Sequence, residues 1–252
     1  MQAPKKSLGQ HFLINSSVCR RIVDLLEPGD SDNILEIGPG LGALTHYLLN
    51  AAHARLLLIE KDAYWAAEQA KNAKTLNMDA LDFDWQGLQG PWKLVGNLPY
   101  NVASPLIWDI VSTCQAYERA VFMVQKEVAQ RIVASPGSRQ YGALSVWCQS
   151  FARVRLAFCV APGSFRPPPK VDSGVVVFEP LPAWPAHPSG LRSLLNLCFQ
   201  QRRKQLGTIL RKRPDLAAGL ARLGIEASLR PENLSPGQFM ALADTRSIAD
   251  SD

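Results

Sequence analysis

Ile34-Leu35-Glu36-Ile37-Gly38-Pro39-Gly40-Leu41-Gly42-Ala43-Leu44-Thr45 is the stretch whose reading decides the fold. A short apolar run carrying one acid passes into a glycine turn, and Ala43 to Leu49 then continues with helical spacing, so the segment reads as strand, turn and helix. Such a turn lets the backbone approach a ligand closely, and a following helix offers free N–H groups at its start. Gly38, Gly40 and Ala43 also fit the relaxed dinucleotide fingerprint, which keeps a nicotinamide enzyme open at this point.

Outward from the turn, Leu56 to Ile59 forms a second buried strand whose tip is Glu60, placed to hold a ribose diol in either reading. A third strand ends at Asn77-Met78-Asp79-Ala80, where Asp79 can accept a hydrogen bond from an adenine amino group. Glu36 separates the two readings. A carboxylate two residues before Gly38 can hold a cationic methionine moiety or order the loop around it, whereas dinucleotide sites favour apolar residues there. Further apolar runs lie at Lys93–Val95, Ala120–Val124, Leu156–Val160 and Val175–Phe178, spaced for intervening helices. This alternation predicts an α/β fold with a mostly parallel, doubly wound sheet, with an antiparallel element at the edge formed by the last two runs.

Prolines 180, 182, 185 and 188 mark a linker, and from Leu191 onward the spacing is helical without a strand signal. Two domains are therefore expected: residues 1–182, carrying the sheet, and a small all-helical domain over 183–252. The chain has 252 residues, 47% hydrophobic and 19% charged, enough for one substantial core and a small appended unit. Five cysteines without a C-x-x-C spacing argue against a disulfide framework and a zinc site. The first residues lead into no signal-length apolar run, and no stretch is long enough to span a bilayer, so a cytoplasmic protein without a membrane partner is expected.

Net charge is +5, and its distribution says more than its sum. Between Arg192 and Arg213 lie seven Lys or Arg residues and no acid, mostly in Arg202-Arg203-Lys204 and Arg211-Lys212-Arg213. Lys5, Lys6, Arg20 and Arg21 precede the first acid, Asp24. Two acid-free basic segments point to a nucleic-acid partner, with the C-terminal triplet Arg202, Arg203 and Lys204 as phosphate contacts; the alternative is a helix over Leu191–Leu210 whose apolar side docks on the catalytic domain, its arginines pairing with surface acids there.

After the fourth strand comes Asn97-Leu98-Pro99-Tyr100, which resembles the D/N-P-P-Y motif of methyltransferases acting on exocyclic amines of nucleobases. An aromatic amine delocalises its lone pair into the ring and is a poor nucleophile until its N–H bonds are held so as to localise that pair. The Asn97 side-chain oxygen and the Leu98 carbonyl can accept those two bonds, Pro99 stiffens the turn, and Tyr100 can stack on a flipped base. A plain Asn-capped turn would use the same four residues.

Ser7 to Leu13, Ile34 to Thr45, Asn97 to Tyr100, Phe165-Arg166-Pro167-Pro168-Pro169-Lys170-Val171-Asp172-Ser173 and Phe199-Gln200-Gln201-Arg202-Arg203-Lys204 together resemble the ribosomal RNA adenine dimethyltransferase family, more narrowly its bacterial 16S branch. The resemblance implies a Rossmann-like S-adenosylmethionine-dependent methyltransferase fold. It further implies dimethylation of two adjacent adenosines in the 3′-terminal hairpin loop of small-subunit rRNA, within an assembling 30S particle; separately, a monomer is expected. It places His11 and Leu13 at the methionine end of the cofactor and Gly38 and Gly40 at its carboxypropyl side. Glu60 falls on the ribose, Asp79 on the adenine, Asn97 on the reacting amine, and Phe165 on the face of the target base opposite Tyr100, presented by a proline-stiffened exposed turn. His11 stands where the family often has asparagine, and Met78 where it has glycine. The competing readings are a macrolide-resistance type dimethylase of large-subunit rRNA and a non-catalytic assembly factor retaining the fold.

Overall fold

The computed structural model describes residues 10–100, 102–182 and 190–244. Ser7 to Gly9, the basic pair Lys5 and Lys6, and most of the proline-rich linker lie outside the described residues.

The chain divides into two compact units, one of residues 1–130 and 152–180, the other of 131–151 and 181–252. The helical unit thus takes in residues 131–151, which the sequence reading assigned to the first domain. Nothing in the composition of that stretch marks it off; its helical spacing is shared by the crossover helices of an α/β domain.

In chain order the first unit contains β1 (Phe12–Leu13), α1 (Ser16–Leu26), β2 (Asn33–Ile37), α2 (Thr45–Leu49), β3 (Arg55–Glu60), α3 (Ala63–Gln69), β4 (Lys74–Asn77), β5 (Trp92–Asn97), α4 (Ala103–Thr113) and β6 (Tyr117–Gln125). After α5 (Lys126–Ile132) and α6 (Ala143–Phe151) come β7 (Ala152–Val160), β8 (Phe165–Arg166) and β9 (Ser173–Pro180). Seven strands form one sheet in the order β4-β3-β2-β5-β6-β9-β7. The five strands from β4 to β6 in that order run parallel, and β9 runs antiparallel to both β6 and β7. The expected edge element is there. A parallel sheet covered on both faces needs near-continuous apolar strands, and β2 is buried from Ile34 to Ile37 with Glu36 as its one acid.

Helix starts follow their caps. Asn15 accepts hydrogen bonds from the Ser17 and Val18 N–H groups at the head of α1, and Asp62 from that of Tyr64 at the head of α3. One expectation needs correction: the helix after the glycine turn begins at Thr45, not Ala43, and is five residues long. Residues 40–44 stay in turns, so the loop backbone itself, and not a long helix dipole, faces the ligand side.

A two-residue ribbon joins the segment near residue 12 to the proline-rich loop, with Phe12 opposite Arg166 and Leu13 opposite Phe165. The second unit, taken by itself, contains no strand among its described residues; its α-helices include α6, α7 (Leu191–Gln200), α8 (Leu206–Ile209), α9 (Pro214–Arg222) and α10 (Pro236–Asp244). In α7, Leu191, Leu194, Leu195 and Cys198 are buried at the i, i+3, i+4, i+7 spacing that made the helix readable.

Candidate active site

The C-terminal ends of β2, β3, β4 and β5 carry Glu36, Glu60, Asp79 and Asn97 to one rim of the sheet, where crevices in open α/β sheets lie. A cavity there is lined by residues from every segment the sequence singled out for the cofactor: His11, Leu13, Glu36, Gly38, Gly40, Glu60, Asp79 and Asn97. Leu98, Pro99 and Tyr100 line it too.

The glycine turn is shaped by its conformation and its neighbours. Gly38 and Gly40 have φ of +67° and +51°. A Cβ on Gly40 would lie 2.9 Å from the Phe12 ring, so glycine is needed there for two reasons, the left-handed backbone and the ring above it. The Gly40 N–H donates to Glu60 Oε2 at 3.0 Å, and the Gly40 carbonyl accepts from Gln69 Nε2 at 2.9 Å. The other Glu60 oxygen accepts from the Asp62 N–H at 2.8 Å. Glu60 is therefore anchored by backbone donors while its carboxylate keeps acceptor capacity for a ligand. Burial raises its pKa against the opposing pull of those donors.

Glu36 is 1% exposed and accepts a 2.7 Å hydrogen bond from Thr45 Oγ1. Burial pushes its pKa up to about 8, the Thr45 bond working against the rise and the Glu60 charge adding to it. A buried acid with a hydroxyl donor and a second acid nearby is suited to receive a cation. Asp79 is the opposite case. Burial raises its pKa, but the 2.6 Å ion pair with Lys61, helped by the Leu81 N–H on Oδ1, wins and holds it below the ordinary carboxylate range.

Asn97 and its neighbours make the second half of the cavity. Asn97 Nδ2 donates to the His11 carbonyl at 3.0 Å, which fixes the amide so that Oδ1 is the atom left to accept. Leu98 is buried and its N–H donates to the Met123 carbonyl at 3.0 Å, while the Pro99 carbonyl accepts the Val102 and Ala103 N–H groups that open α4. Among the described residues no donor reaches the Leu98 carbonyl. The Tyr100 ring stacks with His11 at 5.5 Å between centroids and 27° between planes. The Tyr100 hydroxyl lies 3.3 Å from Ser173 Oγ, and burial raises its pKa. His11 Nδ1 is 2.8 Å from the Pro167 carbonyl, which can only accept, so the proton sits on Nδ1.

Phe165 requires a correction. It is 3% exposed, does not line the cavity, and packs in the core beside Leu13, Val160 and Val175. Its pairing with Leu13 in the small ribbon turns it inward, so the proline-stiffened loop does not present it. The residues that sequence reasoning passed over are Phe12, Thr45, Lys61 and Gln69. Phe12 and Thr45 stood inside quoted motifs; Lys61 and Gln69 carry no signal, since their partners lie far away in sequence.

A family model described as "Ribosomal RNA adenine dimethylase" matches residues 1–246. The chain belongs to the ribosomal RNA adenine dimethylase family. It is accordingly an S-adenosylmethionine-dependent adenine methyltransferase of ribosomal RNA. A ribosomal RNA small subunit methyltransferase A of Nitratidesulfovibrio vulgaris is 51% identical over 253 residues, covering 95% of this chain and 95% of the relative. One of Lawsonia intracellularis is 49% identical over 251 residues, covering 95% and 93%. Among solved structures, a dimethyladenosine transferase from Plasmodium falciparum superposes with a TM-score of 0.81 at 27% identity, covering 92% of this chain and 96% of that one. The 23S rRNA methyltransferase ErmE, with a TM-score of 0.71 and 23% identity over 93% of this chain and 98% of its own, shares the fold.

The cofactor fits what this dimethylase-family rim offers. A positive-φ glycine turn, a buried acid held by the Thr45 hydroxyl, and a second buried acid anchored by backbone N–H groups match a ligand carrying a cationic amino-acid end and a ribose.

Proposed function

We propose that this chain transfers methyl groups from S-adenosylmethionine to the exocyclic amines of two adjacent adenosines in the 3′-terminal hairpin loop of small-subunit rRNA, acting as a monomer in the cytoplasm on an assembling 30S particle. The observation that carries the reading is the Asn97 amide, clamped through Nδ2 to the His11 carbonyl with Oδ1 left free beside the cofactor cavity.

S-adenosylmethionine supplies an electrophilic methyl carbon on a cationic sulfur. Glu36 receives the cationic methionine end, with His11 and Leu13 beside it and Gly38 and Gly40 along the carboxypropyl side. Glu60 accepts from the ribose hydroxyls and Asp79 from the adenine amine. Asn97 Oδ1 and the Leu98 carbonyl accept the two N–H bonds of the target amine, which localises its lone pair before attack. The proton leaves after transfer, so no general base has to act first. Pro99 holds the corner, and Tyr100, already stacked with His11, extends that stack to the flipped base.

The helical unit is the rRNA- and ribosome-binding part in this proposal. Arg203, Lys204, Arg211 and Lys212 are exposed on it and supply the phosphate contacts. No helix among the described residues is long and apolar enough to cross a membrane. The small-subunit choice rests on relatives near half identity over almost the whole chain that carry that name, whereas the large-subunit enzyme is similar in fold alone.

The test offers the enzyme purified small subunits lacking these methyl groups and, separately, naked large-subunit rRNA. Labelled methyl groups are expected on the small subunits. Labelling of large-subunit rRNA instead would move the chain to the resistance-type reading, and cofactor binding without transfer to either would favour an assembly factor.

A further inference from the structure

A second concave site lies at the opposite end of the sheet from the cofactor cavity, about 16 Å away along β3. It is a cleft of about 370 Å³, in the range of roughly 300–1,000 Å³ typical of small-molecule sites. Its floor is the sheet itself. Arg55 and Leu57 are two residues apart on β3 and so share a face; Lys74 on β4 is the register partner of Leu57, and Trp92 on β5 lies in the row of Arg55 through Asn33. The outer wall is the segment from Phe83 to Gln89.

That wall is fixed by its own bonds. Trp92 Nε1 donates to the Gln89 carbonyl at 2.9 Å, the Gly87 N–H to Asp84 Oδ1 at 2.9 Å, and Trp85 Nε1 to the Ala80 carbonyl at 3.0 Å. Phe83 packs edge-on against Trp85 at 4.7 Å and keeps part of its ring exposed towards the cleft. On the rim, Arg55 and Lys74 are both exposed, and among the described residues neither forms an ion pair with a carboxylate. The Arg55 guanidinium stands over the Trp92 ring at 5.9 Å. Asp84 is the one acid lining the cleft, and its Oδ1 is already used by Gly87.

Two cations without acid partners above an apolar and aromatic floor suit a ligand with an anionic group at one end and a planar apolar group at the other. Arginine matches a phosphate with a forked pair of N–H donors and lysine with a point charge, while an aromatic ring takes a base face. We propose that this cleft binds one nucleotide unit of the rRNA strand outside the target loop, its phosphate on Arg55 and Lys74 and its base against Phe83. The proposal rests on the rRNA substrate above. A nucleotide in the RNA and a free nucleoside monophosphate share this chemistry, so the experiment separates them.

With the full chain, RNA affinity for a small-subunit rRNA fragment is measured against salt for wild type, the double variant Arg55→Gln/Lys74→Gln, and Phe83→Ala. The double variant is expected to flatten the slope of log affinity against log salt by about 1.4–1.8 units, two contacts at roughly 0.7–0.9 each. Phe83→Ala is expected to weaken binding about five- to a hundredfold at every salt concentration without changing the slope. Cofactor affinity, read by calorimetry, stays at the wild-type value in all three. A wild-type slope in the double variant overturns the proposal, and does so outright if adenosine monophosphate nonetheless binds the wild type and not the variant, because the cleft then serves a free nucleotide. Failure of the wild type to bind or methylate small-subunit rRNA is a different result and removes the functional reading beneath it.

Discussion

The cofactor rim and the basic segment of the helical unit were read from sequence with equal directness, and the structure treats them differently. Around the rim, Glu36, Glu60, Asp79 and Asn97 converge on one cavity because each ends a parallel strand. In the helical unit, the acid-free interval from Arg192 to Arg213 does not stay acid-free in space. Arg202 Nε donates to Glu232 at 2.6 Å, Nη1 to the Arg139 carbonyl at 2.7 Å and Nη2 to the Ser138 carbonyl at 3.0 Å. Arg213 pairs with Asp215 at 3.3 Å. The expectation that Arg202 is a phosphate contact is thereby corrected: its guanidinium ties the turn after α7 to residues 138–139 and to Glu232 within the same unit. A strand end fixes where a side chain goes; a run of like charge leaves the partner to be chosen by the fold.

The sharpest way to break this contrast is Asn97→Ala. Single-turnover methyl transfer should fall by about a hundredfold or more, equivalent to ~2.7 kcal/mol of lost transition-state stabilisation, with RNA affinity kept. An unchanged rate would reduce Asn97 to a turn cap and remove the difference between the two regions.

Arg202→Gln comes next. It should lower the unfolding free energy by about 1.5–3 kcal/mol, as expected for charged hydrogen bonds in a site with both partners less than a third exposed, and leave the salt dependence of RNA binding as it is. A flattened salt slope with unchanged thermal stability would restore the phosphate reading of Arg202.

A smaller effect concerns the charge of Glu36. Its folded pKa of about 8 lies above the ordinary carboxylate value, so the protonated form stabilises the free protein at low pH. That contribution is lost as pH rises from the ordinary range through about 8. A cationic ligand favours the ionised form. Cofactor affinity should therefore increase with pH up to about 8, and calorimetry in two buffers of different ionisation enthalpy should register proton release near neutrality. Glu36→Gln should remove both effects, and retention of the proton release in that variant would assign it elsewhere.

The mildest change is Arg203→Gln/Lys204→Gln. With Arg202 engaged in the fold, two phosphate contacts remain in that triplet, and their loss should flatten the RNA salt slope by roughly 1.4–1.8 units without altering cofactor affinity or melting temperature. A loss of stability instead would mean that these side chains, like Arg202, belong to the fold.

Much of the first unit was legible because backbone chemistry leaves marks in sequence: apolar runs for buried strands, glycines where φ is positive, and a polar residue at each strand tip. The five-residue α2 and the membership of residues 131–151 were not, since both depend on how packing ends a helix or recruits a segment. Phe165 shows the same limit. Three prolines beside an aromatic ring describe a stiff loop but not which way the ring faces, and its pairing with Leu13, far earlier in the chain, turned it into the core. Lys61 on Asp79 and Gln69 on Gly40 are contacts between segments whose proximity no local pattern records.

The central claim joins the Asn97 corner to a particular RNA, and mapping methylated adenines tests both parts together. In a strain lacking this gene, two adjacent adenines of the small-subunit 3′-terminal hairpin should lose their N6 methyl groups. The wild-type gene should restore them and the Asn97→Ala gene should not. Intact methylation of that hairpin in the deletion strain, or full restoration by the Asn97→Ala gene, would contradict the account.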